Sequence, residues 1–367
     1  MTPTSTRAAV LRSFGEPLVL EELPIPEEIQ RGAAVVRVSC CTLCGTDAHL
    51  WAGRMAWPGM LPIVLGHEMI GVVESVGPDC VDALGRAVEV GQRIGWSEST
   101  CGHCYACSVL RDPVACRNRG YGFLQHSDQW PFVIGGLSER CYVTAGAAKL
   151  VLPDDIEDEM AAAAGCAIKT VVRAIDAAGG IRLGSTVVIQ GAGALGIFAT
   201  ALASIAGART VITIGAPDER LSLAREFGAN ATIGLESDAA SRAAEVIDLS
   251  GGRGADVLFD FAGGPGVGGE AIQMAAQGAT YVVVGTTGGT PEPLPLGTIM
   301  GKEMTVRGSL NGDNSDYARS IALIPQLRRF PLGNIFSPPV GLEGASAALE
   351  SMAQLKQVKA VVRPGQS

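Results

Sequence analysis

The hydrophobic rhythm of this chain changes near its middle. From Arg7 to about Leu150 the apolar residues come in short, partly alternating runs such as Ala34-Val35-Val36-Arg37-Val38, broken often by Gly and Pro. Such a pattern predicts short strands joined by turns. Gly66 to Gly77 predicts a turn that delivers His67 and then a strand, with glycines where backbones pass closely. After Pro153, residues 157–164 form an alanine-rich stretch that predicts a helix, and Gly165-Cys166 leads into a second helical run through Ile175. Beyond Gly184, apolar runs at 186–189 and 210–214 alternate with helical patterns at 194–206 and 218–227. This alternation predicts a parallel sheet covered on both faces. It continues through 255–259 and 280–285 and ends around Val306, and the tail adds a helix at 345–355 and a strand at 360–363. A boundary near residues 166 to 170 follows.

Length agrees, since 367 residues is about twice the ~150 that one domain takes as a prior. A net charge of −9 and a pI near 5.1 argue against nucleic acid or an anionic membrane as partner. The first 22 residues lack the apolar segment of a leader, and nowhere do about 18 apolar residues run together. A soluble, cytoplasmic protein working on a small molecule is the expectation. Its ten cysteines then need another use, because a reducing cytosol does not keep structural disulfides. Cys40, Cys80 and Cys141 are scattered among apolar neighbours and read as core residues.

The remaining cysteines fall into patterns. Cys41 to His49 (Cys-Thr-Leu-Cys-Gly-Thr-Asp-Ala-His) packs thiolate, hydroxyl, carboxylate and imidazole into one segment, and Gly66-His67-Glu68 adds a second imidazole and carboxylate. Two such clusters suit one metal ion with attached proton chemistry. Cys101, Cys104, Cys107 and Cys116 place four thiols in sixteen residues, enough for one loop to enclose a tetrahedral structural zinc, with His103 left outside the shell. Gly191-Ala-Gly193-Ala-Leu195-Gly196 follows an apolar strand and opens a helix, the context in which GxGxxG marks a dinucleotide site.

On these motifs, CGTDxH at Cys44 to His49, GHExxGxVxxxG at Gly66 to Gly77, the four-cysteine lobe, Gly165-Cys166 and GAGALG, the chain resembles the zinc-dependent medium-chain alcohol dehydrogenases over essentially its whole length. The resemblance implies an α/β fold: a GroES-like, β-rich catalytic domain at 1–167 and 307–367, and a Rossmann domain with a doubly wound parallel sheet at 168–306. It implies two zinc ions, the catalytic one held by Cys44, His67 and Cys166 and the structural one by the four-cysteine lobe. Thr46 would meet the substrate oxygen, His49 would end a proton relay, Asp47 would orient His67, and Glu68 would stand behind the metal. Thr170, Gly191, Gly193, Leu195, Gly196, Gly215, Arg220, Val284, Gly285, Thr286 and Lys359 would bind the cofactor, Lys359 near its pyrophosphate. The lobe has eight residues between Cys107 and Cys116 where relatives have seven, and extra loop length costs little in closure entropy.

The resemblance implies an alcohol or ketone substrate and a homo-oligomer, dimer or tetramer. Trp51, Trp57, Trp96, Phe123 and Trp130 lie near segments that line the cleft in relatives, so the resemblance implies an apolar secondary or cyclic alcohol. A polyol or amino-alcohol dehydrogenase is the alternative. A zinc-free quinone or enone reductase would not need Cys44, His67 and Cys166 together, and a non-catalytic metal-binding protein would not need the glycine fingerprint. At Gly215 the acidic residue that selects NAD is missing, yet the phosphate-holding residues of NADP-dependent relatives are missing too and Asp218 and Glu219 follow. NAD is expected to be preferred, with NADP possible.

Overall fold

The computed structural model describes residues 4–120, 125–285 and 291–366. They form two compact units, one of Met1–Lys169, Gly312–Ile324 and Phe336–Ser367, the other of Thr170–Asn311 and Pro325–Ile335.

The first unit is β-rich. Ser5–Leu11 lies antiparallel between Val19–Pro24 and Ile63–Val64. In the second sheet the central strand Ala34–Thr42 pairs antiparallel with Glu68–Val76, Arg140–Val143 and Val361–Val362, and the sheet continues through Arg93–Ser99 to Ala147–Val151. Gly71 shows why glycine is needed in such a strand: a Cβ there would overlap the Arg37 carbonyl oxygen. The core combines both sheets, with Val10, Leu11, Val36, Leu43, Leu65, Met69, Ile94 and Trp96 all buried. The register also sets up chemistry. Thr42 stands opposite Glu68, so the residues just after the first strand and just before the second emerge at the same end.

The second unit is a six-stranded parallel sheet in the order Ala231–Ile233, Thr210–Ile214, Thr186–Gln190, Ala255–Asp260, Ala275–Val283, Thr305–Gly308. In chain order this is 3-2-1-4-5-6, the doubly wound arrangement of dinucleotide-binding sheets. Thr186–Gln190 is buried at every position, as a strand with helices on both faces must be.

Two stretches depart from the expected division. The second unit runs past residue 306, because Thr305–Gly308 pairs with Ala275–Val283 and Ser309 N donates to Val283 O at 2.9 Å. Pro325–Ile335, expected with the catalytic domain, belongs to the second unit. Phe330 stacks on Phe227 with ring centres 5.6 Å apart, and Asn334 Nδ2 donates to Glu226 Oε2 at 2.8 Å.

Candidate metal and cofactor sites

Cys44 caps the short helix Gly45–Trp51 with an extended backbone, φ −100° and ψ 160°. Three residues on, the fully buried Asp47 folds its carboxylate back: Cys44 N donates to Oδ2 at 2.9 Å, and Gly66 N to Oδ1 at 3.0 Å. The same Oδ1 lies 3.2 Å from His67 Nδ1. A carboxylate accepting from Nδ1 would leave Nε2 as the nitrogen that could give its lone pair to a metal. Asp47 thereby ties both ligand segments together.

Donor atoms of Cys44, His67, Glu68 and Cys166 all come within 4.8 Å of one another. A hydrogen bond from Cys166, aided by His67, holds the Cys44 thiol well below its ordinary range against the effect of burial, while the Cys44 contact and burial raise Cys166. The two sulfurs are thus coupled, with Cys44 the one favoured as thiolate. Glu68 Oε1 is buried without a hydrogen-bond partner among the described residues, and Oε2 accepts from Thr42 Oγ1 at 2.5 Å. A concentration of soft anionic donors, a fixed imidazole and an orphaned carboxylate oxygen fits a divalent cation.

Thr46 and His49 lie three apart on the capped helix and so share a face. The Thr46 hydroxyl is 3.8 Å from Cys44 Sγ, whereas His49 is exposed to solvent. Burial of part of the ring and the nearby Arg54 lower the His49 pKa, so the imidazole stays neutral further into acid than usual.

In the cysteine lobe, the Sγ atoms of Cys104 and Cys107 are 3.6 Å apart, those of Cys104 and Cys116 3.8 Å, and those of Cys116 and Cys101 3.6 Å. Four thiolates ~2.3 Å from a tetrahedral ion would stand about 3.8 Å apart, so the set fits zinc. Backbone N–H groups of His103 and Cys104 bring Cys101 down to about 5. Between Cys107 and Cys116 the loop contains a left-handed residue, Arg111 (φ 53°), and a 3₁₀ turn, Pro113–Ala115. His103 turns its Nδ1 to Cys101 O at 2.6 Å, outside the thiol set.

In the second unit the strand Thr186–Gln190 runs into Gly191, whose φ of +110° a side chain would strain. Gly193 begins the helix Ala194–Ile205 and, having no side chain, leaves its first N–H groups to a ligand. A Cβ on Gly196 would overlap the Gly191 carbonyl oxygen, so the helix can approach the turn only with glycine there. Leu195 is half-buried and Thr170 buried. Val284 N and Gly285 N donate to Asp260 O at 3.0 and 2.8 Å, and Gly285 packs against Gly263 too closely for a side chain. Gly215 packs likewise, since an added Cβ would lie 2.9 Å from Ala192 N. Arg220 is half-buried in the first turn of Asp218–Glu226, and burial lowers its pKa. Thr286 and Phe123 lie outside the described residues.

The zinc-binding dehydrogenase family pattern matches residues 194–326, and that of the alcohol dehydrogenase GroES-like domain residues 30–154. The chain is 32% identical over 342 residues, 91% of each sequence, to a 5-exo-hydroxycamphor dehydrogenase from Pseudomonas putida. It belongs to the zinc-dependent medium-chain alcohol dehydrogenases. The structure of an alcohol dehydrogenase from Thermotoga maritima superposes with a TM-score of 0.90 at 30% identity, covering 99% of this chain and 100% of the other. A Sinorhizobium meliloti protein solved bound to NADP superposes at 0.84, with 27% identity and coverage of 99% and 100%.

One of the expected cofactor residues adjoins the donor cluster. Lys359 is 1% exposed, ion-paired with Glu68, and donates to Leu43 O at 3.3 Å. The last strand carries it there: Val361 pairs with Thr42, itself opposite Glu68. Its ammonium lies against Glu68, itself a member of the donor cluster. Burial outweighs Lys359 and pushes the Glu68 carboxyl up to about 7. The aromatic residues also disperse. Trp96 shares a cavity of about 30 Å³ with His67, but Trp57 and Trp130 are exposed and Trp51 donates its Nε1 to Glu16 O at 2.8 Å. Thr42, which holds Glu68, carries no signal of its role in the sequence, because cross-strand register is invisible in a linear motif.

Proposed function

We propose that this alcohol dehydrogenase-family oxidoreductase is zinc-dependent and NAD-preferring, and interconverts an apolar secondary or cyclic alcohol with its ketone. The observation that carries this is the convergence of Cys44, His67 and Cys166 with the Thr46 hydroxyl 3.8 Å from Cys44. When bound, zinc supplies Lewis acidity toward the substrate oxygen and NAD accepts hydride. Asp47 holds the imidazole of His67, Thr46 would accept the alcohol proton while passing on its own, and His49, exposed on the same helix face, would release a proton to solvent. Thr42 and Lys359 hold Glu68 behind the ligand set. The hydroxycamphor relative supports the substrate class, since a hydroxylated camphor is a secondary alcohol on an apolar ring system. Cofactor reduction followed over cyclic, linear and polyhydroxy alcohols tests it; preference for polyhydroxy substrates would refute it.

Two zinc ions per chain are expected, because both donor sets are complete. Elemental analysis of replete protein should find two, and Cys116→Ser should remove one and mainly lower stability. A value of one in the unmodified protein would contradict the assignment.

NAD should be preferred by about 1–2 kcal/mol, the worth of one charged hydrogen bond, or roughly tenfold in kcat/KM. Asp218 and Glu219, exposed in the first turn after Gly215, disfavour a 2′-phosphate. The NADP-bound neighbour supports NADP as a second cofactor. A kcat/KM with NADP equal to that with NAD would overturn the preference. Gly215→Asp should weaken binding of either cofactor, because its Cβ would lie 2.9 Å from Ala192 N and displace that residue.

A further inference from the structure

Cys166 sits in the middle of a π-helical turn, Ala164–Ile168, between the α-helices Asp158–Ala163 and Lys169–Ala177. A π turn widens the helix and displaces carbonyls from their usual partners, and isolated ones gather at functional sites. Here two of those carbonyls are held from outside. Ser320 Oγ, whose proton also has Tyr317 O at 2.7 Å, lies 3.1 Å from Ala164 O, and Ser97 Oγ lies 3.0 Å from Gly165 O. Immediately after the turn, Lys169 buries its ammonium, 1% exposed, against Glu98 Oε2 at 2.5 Å and Ser97 Oγ. A serine hydroxyl has one proton and two lone pairs, so Ser97 accepts from Lys169 while its single proton is shared between Gly165 O at 3.0 Å and the closer Glu98 Oε2. It therefore grips the chain on both sides of Cys166.

A buried ion pair is a poor source of stability, because desolvation offsets its attraction and a well-packed apolar pair would serve as well; its best-attested use is to fix register. Register is what this turn needs. One residue of slippage would swing the Cys166 sulfur away from Cys44 and His67. We propose that Ser97, Glu98 and Lys169 are positioning residues that lock the π turn so that Cys166 completes the zinc ligand set. This rests on the zinc-dependent function proposed for the chain.

The test uses zinc-loaded full-length protein and the chromogenic chelator 4-(2-pyridylazo)resorcinol, with Cys44→Ser protein run in parallel to identify the release phase of the four-cysteine lobe. Ser97→Ala, and the charge-neutral pair Lys169→Met with Glu98→Gln, should release the Cys166-bound zinc about 10- to 100-fold faster, the usual effect of removing an outer-shell partner. The lobe zinc should leave at its normal rate, cobalt-loaded variants should show a weakened thiolate-to-metal charge-transfer band, and Ser97→Thr should restore normal release. Ser97→Ala removes no charge, so it decides the matter if the double variant does not fold. Unchanged release in Ser97→Ala, or loss of both ions in parallel, would overturn the proposal. Finding a single zinc in the unmodified protein would overturn the zinc reading and this inference with it, whereas unchanged variants of a two-zinc protein would overturn the inference alone.

Discussion

Cys44→Ser protein should fold normally, hold one zinc per chain instead of two, and turn over substrate slower by about 10³-fold or more. The position makes this substitution unusually clean. Cys44 is the N-cap of Gly45–Trp51, and serine is among the best N-cap residues, so the helix start is kept or improved. The Cys44 N to Asp47 Oδ2 bond uses the backbone and is unaffected in kind. What is lost is the thiolate, whose low pKa here comes from Cys166 and His67 and which a serine hydroxyl cannot supply near neutral pH. A Lewis acid contributes several kcal/mol of charge stabilisation, and about 4 kcal/mol is roughly 10³ in rate. Thermal unfolding, elemental analysis and steady-state kinetics check the three parts separately. A variant with one zinc and near-normal turnover would mean that the catalytic ligand set has been assigned wrongly.

The two clusters of metal-capable side chains are legible in the linear sequence because metal chemistry admits few atom types and short spacings expose them. The doubly wound sheet is legible for a similar reason: buried strands such as Thr186–Gln190 must be apolar throughout, and Gly191, Gly193 and Gly196 are the residues that tolerate the turn beyond. What stays hidden depends on contacts between distant segments. Lys359 is expected near a pyrophosphate, and nothing local says that the following Val361 pairs with Thr42 and carries Lys359 to Glu68. The π turn around Cys166 is hidden too, since an apolar, alanine-rich run looks the same whether bonds close at four residues or five. Lys169 is the available signal: a charged side chain in an otherwise buried helical run needs a partner, and Glu98 is 71 residues away. The Pro325–Ile335 segment goes to the other unit because Phe330 finds Phe227, a pairing that no spacing announces.

Removing the Thr46 hydroxyl should slow alcohol oxidation by about 10² or more, the lower range for loss of a general base in a relay. Thr46→Ser should recover most of it. Thr46 is partly buried and adjoins Cys44 Sγ, so it is placed to take a proton from a substrate oxygen, and His49 shares its helix face but reaches solvent. The two should therefore fail differently. His49 serves as base only when neutral. Its pKa lies below the ordinary 6.5, lowered first by burial and then by Arg54, so in the unmodified enzyme kcat/KM for oxidation should fall only as pH drops through that depressed value. In His49→Gln this limb should disappear, leaving a rate that climbs with pH as hydroxide takes the proton instead. The deficit relative to the unmodified enzyme should then be largest just above the His49 pKa and shrink toward alkaline pH. Thr46→Ala should show a deficit that persists at all pH, because hydroxide arriving at the outer end cannot replace the first acceptor. Profiles of kcat/KM against pH for the three proteins decide this: an acid limb retained in His49→Gln removes His49 from the relay, and a Thr46→Ala deficit that vanishes in alkali makes Thr46 dispensable as the first acceptor.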